Sequence, residues 1–543
     1  LAFRTLVLWV YFGVLGALTV YGAHRWYLLA LYARHRRRRP KAAGLTGDLP
    51  SLTVQIPLYN EMYVARRVIE AVAAIDWPAD RLEIQVLDDS TDETSSIVAE
   101  TVARLAASGR TAVHLRRDDR AGFKAGALAR GLACARGEFI AVFDADFVPG
   151  PGFAKALMRH FADAEVGMVQ ARWGHLNRKA SLLTRAQSIL LDGHFVIEHA
   201  ARHRSGRFFN FNGTAGIWRK RCIEDAGGWQ HDTLTEDLDL SYRAQMRGWR
   251  FVFVEDAVAP AELPVEMGAF KTQQHRWAQG SMQTAVKLLP KILRAPLPLA
   301  VKAEAFFHLT ANAGYVLMVL LAFLIGPAIW LRRGARVEEI LLVDLPLVLL
   351  SLASIAIFYL VSQRQAYGRF RDALWYLPVV MAVGIGISFN NARAVIAGFR
   401  RRPTEFRRTP KYALAGGGDE VLATRRYRAG RTVETWVELG AGLYFVVWTL
   451  VALANGLWAA TPFLSLFAGG FLYTACLTLR QSRLAADANG MTSTSLPASI
   501  APPSAGMQMN ALARASESTS PELALRTGAA SGRPSRHVRR ASR

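Results

Sequence analysis

The residues of this 543-residue chain best suited to chemistry are carboxylates that follow short apolar runs. The run at 139–143 delivers Asp144-Ala145-Asp146. Two carboxylates at i and i+2 on a strand end or tight turn can both reach one divalent cation, leaving its other sites to water and diphosphate oxygens. Such an ion acts as a Lewis acid, neutralising charge that gathers on a leaving diphosphate, and Lys124 in Arg120-Ala121-Gly122-Phe123-Lys124 is a further cation for the same oxygens. Two more runs end comparably, 52–56 in Pro57-Leu58-Tyr59-Asn60-Glu61 and 82–87 in Asp88-Asp89-Ser90. In open α/β sheets ligands bind beyond the carboxyl ends of the strands. There Asp88 and Asp89 can hydrogen-bond ribose hydroxyls or a base, and Tyr59 offers a base its ring. An Asp pair in this position can equally do no more than cap the next helix.

Further on, Thr235-Glu236-Asp237 precedes a helix-like run. The plain reading makes Thr235 an N-cap with two acids favouring the first turn. The chemical reading makes Asp237 a general base that removes a proton from an attacking hydroxyl, and one base without a second nucleophile means inversion. Gln273-Gln274-His275-Arg276-Trp277 sets an amide, a guanidinium and an indole close together on a helix. Arg276 suits a diphosphate and Trp277 a sugar ring, the alternative being a core tryptophan beside a surface arginine.

The elements that must position these groups divide the chain. Half of it is apolar, too much for an ordinary soluble domain. Its 66 basic and 43 acidic residues leave a charge of +23. Beside long apolar runs, that excess marks loops facing the cytoplasm and anionic lipid, and no motif speaks for nucleic acid. Cys134, Cys222 and Cys476 have neither zinc-ligand spacing nor the even number a disulfide framework needs, which implies a reducing compartment. Residues 1–33 form a membrane segment without a small-residue cleavage site, and the basic linker 34–48 puts the region after it in the cytoplasm. Apolar runs alternate with helix-period segments over 49–280, predicting an α/β domain with a mostly parallel sheet. Residues 281–304 read as an amphipathic interfacial segment. Spanning candidates come next at 306–331, 340–361, 375–397, 432–453 and 462–479, within segments 305–398 and 432–480. If all of them cross, the basic loop 399–431 falls on the wrong side, so 375–397, with Asn390, Asn391 and Arg393 in its second half, is expected not to cross. The Ala/Ser/Pro/Gly-rich stretch 481–543 cannot bury a core and is expected to be a disordered tail.

In this order, D-D-S at Asp88, D-A-D at Asp144, T-E-D at Asp237 and Q-x-x-R-W at Gln273 resemble the processive family-2 membrane glycosyltransferases, the cellulose, chitin and hyaluronan synthases. Finer strings, V-Q-I-P-L-Y-N-E from Val54, F-K-A-G-A-L from Phe123, V-Q-A-R-W from Val169 and F-N-G-T-A-G-I-W-R from Phe211, look most like the cellulose synthase-like glucomannan and mannan synthase branch. The resemblance implies a GT-A-type domain between transmembrane helices. It also implies Mg²⁺ or Mn²⁺ at Asp144 and Asp146, and Asp237 as base. The nucleotide-sugar would meet Tyr59, Glu61, Asp88, Asp89, Lys124, Asp144, Gln273 and Arg276. The acceptor would meet Phe211, Asn212, Gly213, Thr214 and Trp277. Residues 406–411 are similar to the gating segment F-x-V-T-x-K, with Arg408 where valine is usual. No zinc-binding cysteine cluster or cyclic-dinucleotide domain is legible, so regulation of the bacterial cellulose-synthase kind is not expected.

The expected function is inverting, metal-dependent transfer of mannose or glucose from GDP-mannose or UDP-glucose to a growing β-linked polysaccharide. The resemblance makes it processive and coupled to translocation, in the plasma (inner) membrane, with membrane lipid and accessory export subunits as further partners. A non-processive enzyme with a lipid-linked acceptor is the first alternative. A transporter whose soluble domain senses nucleotide-sugar is the second, although a sensor has no need of Asp237.

Overall fold

The computed structural model describes residues 2–45, 48–334, 342, 345–400, 409, 411–413 and 433–492. Of the tail expected over 481–543, residues 481–492 instead continue the Thr461–Thr492 helix, where Gln481 accepts from Met267 N–H at 2.9 Å and donates to the Val265 carbonyl at 3.1 Å. The tail beyond 492 and most of the gating-like loop, Phe406, Arg407, Arg408 and Pro410 included, lie outside the described residues.

The strands are β1 (Leu52–Leu58), β2 (Leu82–Asp88), β3 (Thr111–Arg116), β4 (Phe139–Val142), β5 (Val166–His175), β6 (Gly216–Arg219) and β7 (Arg250–Ala261). They form one sheet in the order β3-β2-β1-β4-β6-β5-β7. All neighbours run parallel except β6, which is antiparallel to both β4 and β5. β1 and β2 are buried on both faces, as parallel strands between helical layers must be. Their inward polar residues pair with one another: Thr53 Oγ1 donates to Glu83 Oε2 at 2.7 Å and Gln55 Nε2 to Gln85 Oε1 at 3.0 Å. A Cβ on Gly131 would stand 2.6 Å from Gln55 Nε2, so glycine is what lets the Phe123–Cys134 helix lie this close to the sheet. Since β1, β2 and β4 are parallel neighbours, their carboxyl ends share one edge, and the chain turns to opposite sides of β1 to reach β2 and β4. That crevice is where α/β sheets hold ligands.

Four helices are long and apolar enough to cross a bilayer among the described residues: Ala2–His35, Leu299–Leu331, Val433–Ala454 and Thr461–Arg483. The segment expected not to cross is two helices, Ala373–Gly386 and Ser388–Phe399, meeting at 45° around Ile387, and it makes a fifth span if the bent pair is counted as one. The Leu345–Tyr367 helix stands where the 340–361 span was expected and packs on the first helix, with Trp26 Nε1 donating to the Leu350 carbonyl at 3.3 Å. Residues 281–304, expected to form an amphipathic interfacial segment, fall on two helices. They are the end of the Met267–Arg294 helix and the start of Leu299–Thr310, separated around Pro296 and Pro298, which cannot donate to a helical ladder.

The sheet domain and the apolar helices share a core. Leu28, Leu29, Leu31 and Tyr32 of the first helix pack with Leu128, Phe195 and Trp218 of the domain. A buried ion pair also joins them: Lys271 Nζ lies 2.5 Å from Glu438 Oε2, with the two side chains 7% and 0% exposed. Removing one partner strands a buried charge, so Lys271→Met is expected to destabilise the chain by about 3–5 kcal/mol, and Lys271→Met/Glu438→Leu to recover most of that loss. Thermal unfolding of the three proteins in detergent checks this. A double variant no more stable than Lys271→Met contradicts it.

Candidate active site

At the end of β1, Asn60 turns the chain with φ +56° and ties it to the end of β2: its N–H donates to Ser90 Oγ and its Oδ1 accepts from Thr91 N–H, both at 2.8 Å. Tyr59 is thereby held with the Arg120 guanidinium 3.2 Å from its ring centroid. The two aspartates after β2 differ. Asp88 is fully buried, and its oxygens accept from Ser90 N–H at 2.8 Å, Ser95 Oγ at 2.6 Å and His114 Nε2 at 2.9 Å. Burial raises its pKa, but these hydrogen bonds win and bring it down to about 2. Expected at the donor, Asp88 instead has no surface to offer a ligand and builds the turn that presents Asp89. Asp89 is paired with Arg117, whose guanidinium also donates to the carbonyls of Ala121 at 2.8 Å and Phe123 at 3.0 Å. Arg117 thus fixes the loop that leads to Lys124. Glu61 closes the β1 turn, its carbonyl accepting from Val64 and Ala65 N–H at 3.0 and 2.9 Å.

Beyond β4, Asp144 and Asp146 are each held by a lysine. Lys124 Nζ donates to Asp144 Oδ1 at 2.6 Å, and Lys411 Nζ to Asp146 Oδ2 at 2.7 Å. Lys411 also donates to the Glu262 carbonyl at 3.3 Å, and Glu262 Oε1 accepts from Tyr412 N–H at 3.0 Å, so the end of the gating-like segment is docked at the acid pair. Asp144 Oδ2 and Asp146 Oδ1 have no hydrogen-bond partner among the described residues. Two hard oxygen donors, already attracting cationic groups and open on one side, suit a divalent cation that takes its remaining ligands from water and phosphate. The residues present therefore fit the expected Mg²⁺ or Mn²⁺.

Lys124 joins this pair to the next motif. Its ammonium also donates to the Gly213 carbonyl at 2.9 Å and lies 3.9 Å from Glu236 Oε1. Burial works against the Lys124 charge, but Asp144, Glu236 and Asp237 around it more than reverse that and raise its pKa. Thr235 stands at the N-cap of the Glu236–Met246 helix without making a side-chain cap bond, so capping does not account for the motif. Burial pushes the Asp237 carboxyl up to about 7, the Glu236 carboxylate adds to the rise and Lys124 opposes it. Gly213 has φ +78°, and a Cβ on it would lie 3.0 Å from Asp237 Oδ2, two reasons for glycine there.

Of the other expected acceptor residues, Phe211 is fully buried edge-on to Trp218 at 5.5 Å, and Thr214 is fully buried with its Oγ1 accepting from Asp144 N–H at 2.9 Å. Both therefore hold the loop from beneath. Asn212 is the member of that loop that reaches the cavity.

The Met267–Arg294 helix completes the site. Arg276 is half-buried within electrostatic reach of Asp144, Glu236, Asp237 and Asp146. Gln273 and Trp277 line a cavity of about 1020 Å³ together with Asp237, Asn212 and Trp173. The rings of Trp173 and Trp277 are 6.5 Å apart. The same cavity continues between the apolar helices, past Tyr21, Tyr315 and Tyr359. Sequence reasoning missed Arg117 and Trp173 as site residues, although Trp173 closes the string V-Q-A-R-W and a basic residue close ahead of Lys124 was legible.

Residues 50–280 match the family model "Glycosyltransferase like family 2". Over 254 residues the chain is 42% identical to "Probable glucomannan 4-beta-mannosyltransferase 7" of Oryza sativa subsp. japonica, covering 46% of this chain and 43% of the rice protein. It is also 42% identical to "Glucomannan 4-beta-mannosyltransferase 2" of Arabidopsis thaliana, covering 48% of that protein. The chain thus spans just under half the length of the curated relatives it matches. Among solved structures it resembles the mannosyltransferase PcManGT from Pyrobaculum calidifontis, solved in complex with GDP-Man and Mn²⁺. The TM-score is 0.50 at 20% identity over 71% of this chain and 99% of that one, a likeness of fold.

Proposed function

We propose, from the match of residues 50–280 to the family 2 glycosyltransferase model, that the chain transfers mannose from GDP-mannose, with inversion, to a growing β-linked polysaccharide. The observation that carries this is the position of Lys124, whose ammonium contacts Asp144, Gly213 and Glu236 at once and so draws the acid pair, the acceptor loop and the Glu236-Asp237 motif into one site. The glucomannan mannosyltransferases among the relatives favour mannose over glucose.

Tyr59, Glu61 and Asp89 hold the nucleotide, and Lys124, Gln273 and Arg276 hold the diphosphate and sugar. The cations lower the cost of the charge that builds on the leaving oxygens. A Mg²⁺ or Mn²⁺ ion bound by Asp144 and Asp146 would supply Lewis-acid neutralisation of the same charge. Asn212, Gly213 and Trp277 seat the acceptor, whose hydroxyl proton passes to Asp237 as its oxygen attacks the anomeric carbon. A carboxyl titrating at about 7 is poised for that proton, ionised in part at neutral pH yet basic enough to take it. The cavity running on between the apolar helices supports export of the product through the same chain. The arginines directly after the first helix support a multi-pass plasma (inner) membrane protein with its catalytic domain in the cytoplasm.

The test is incorporation of label from GDP-mannose or UDP-glucose by membranes containing the protein. β-Mannanase-digestible polymer from GDP-mannose is the expected result. Label that enters only an organic-extractable lipid would overturn the polysaccharide acceptor and favour the lipid-linked reading.

A further inference from the structure

The cavity wall carries charged groups that the transfer reaction leaves unused. Residues Gly193–His199 wind as a π-helix, a widened turn often kept for function, and His194 and Glu198 lie on it. From them a line of hydrogen bonds runs from the acceptor loop to the first membrane helix. Asn212 Nδ2 donates to His194 Nε2 at 2.9 Å, and His194 Nδ1 to Glu198 Oε2 at 3.2 Å. Arg202 donates through Nη1 to the same Glu198 oxygen at 3.1 Å and through Nε to Glu304 Oε1 at 2.9 Å, while His24 Nε2 donates to Glu304 Oε2 at 3.0 Å.

This line leaves two groups over. Glu198 Oε1 and Arg202 Nη2 have no protein partner among the described residues, although Arg202 is only 2% exposed and both residues line the cavity. Burial works against the Glu198 charge, but Arg202 and His194 more than compensate and hold its pKa well below the usual carboxylate range, so it stays ionised. A fixed acceptor beside a fixed donor matches two neighbouring hydroxyls of a sugar, each of which can give and take a hydrogen bond.

We propose that Glu198 and Arg202 form a recognition subsite for an uncharged β-linked hexose residue of the acceptor, one or more sugars removed from the reacting end. The inference rests on the polysaccharide-acceptor reading above and deepens it. Glu198 lies two hydrogen bonds from Asn212, and Asn212 adjoins the glycine packed on Asp237, so an acceptor whose end meets Asp237 runs along this wall. Trp173 and Trp277 give the cavity the apolar ring faces a sugar needs, and Glu198 and Arg202 give it in-plane partners.

The experiment is titration of the full chain in nanodiscs with β-1,4-mannotetraose, read by quenching of tryptophan fluorescence, with GDP affinity measured alongside. Glu198→Gln and Arg202→Met are each expected to raise the mannotetraose Kd about tenfold, the cost of one charged hydrogen bond, and to leave GDP affinity unchanged. If the Arg202 variant does not fold, His194→Gln, which removes one support of Glu198, is expected to give a smaller rise in the same direction. An unchanged mannotetraose Kd in Glu198→Gln, or no binding by the unaltered protein, overturns the subsite. Transfer from GDP-mannose that persists while these Kd values do not move sinks this inference alone. Loss of transfer in the unaltered protein sinks the reading beneath it.

Discussion

Asp237→Asn is expected to lower sugar transfer by about three orders of magnitude and to leave donor binding almost intact. The asparagine keeps the shape of the side chain and its place on the cavity wall but cannot take the acceptor proton. The same carboxyl sets the pH dependence. Its folded pKa is raised to about 7 by burial and by Glu236, and the base acts only when ionised. As pH falls through 7 the proton fills that site and kcat/KM drops about tenfold per unit, with a plateau on the alkaline side. Conservative replacement of Glu236 by Gln removes the neighbouring charge and moves this acid limb to lower pH. Initial rates of GDP release in membranes between pH 5.5 and 8.5 check both statements. An Asp237→Asn protein with more than a tenth of normal activity, or a flat profile across pH 7, contradicts them.

The second large effect is at the acid pair. Asp144→Asn and Asp146→Asn each remove one of two carboxylates placed for a divalent cation, and each is expected to cut transfer by about a hundredfold or more. Chelation of divalent metal should do the same to the unaltered protein, reversibly on adding Mn²⁺ or Mg²⁺. The structure adds a readout independent of activity. Lys124 and Lys411 already sit on these carboxylates, so each replacement also strands an ammonium beside a neutral amide. Mn²⁺ binding measured by electron paramagnetic resonance should weaken in both variants, and both should lose thermal stability even without metal. Unaltered Mn²⁺ affinity in Asp144→Asn and Asp146→Asn would remove the pair from the metal site.

Much of this was legible in the sequence because the signals were local. The three strand ends were readable because apolar runs long enough for buried parallel strands stop at Tyr59, Asp88 and Asp144. The placing of Gln273 and Trp277 about one turn apart on one helix came from their spacing. What was not legible depends on distant partners. Nothing in D-D-S says that Asp88 turns inward to His114 while Asp89 turns to Arg117. Nor does the loop Phe211–Thr214 say that its first and last side chains go into the core, for an aromatic and a hydroxyl suit a sugar as well as they suit packing. Lys411 reaches Asp146 from 265 residues away, beyond any spacing rule. The division of 281–304 into two helices is a different case, because Pro296 and Pro298, which cannot donate to a helical ladder, stand at the break in the sequence itself.

The account rests most directly on inverting sugar transfer at Asp237, and linkage analysis of the product formed from GDP-α-mannose measures it. Membranes with the unaltered chain should yield β-linked mannosyl residues, and membranes with Asp237→Asn none. α-Linked product, or β-linked product that survives the substitution, would contradict it.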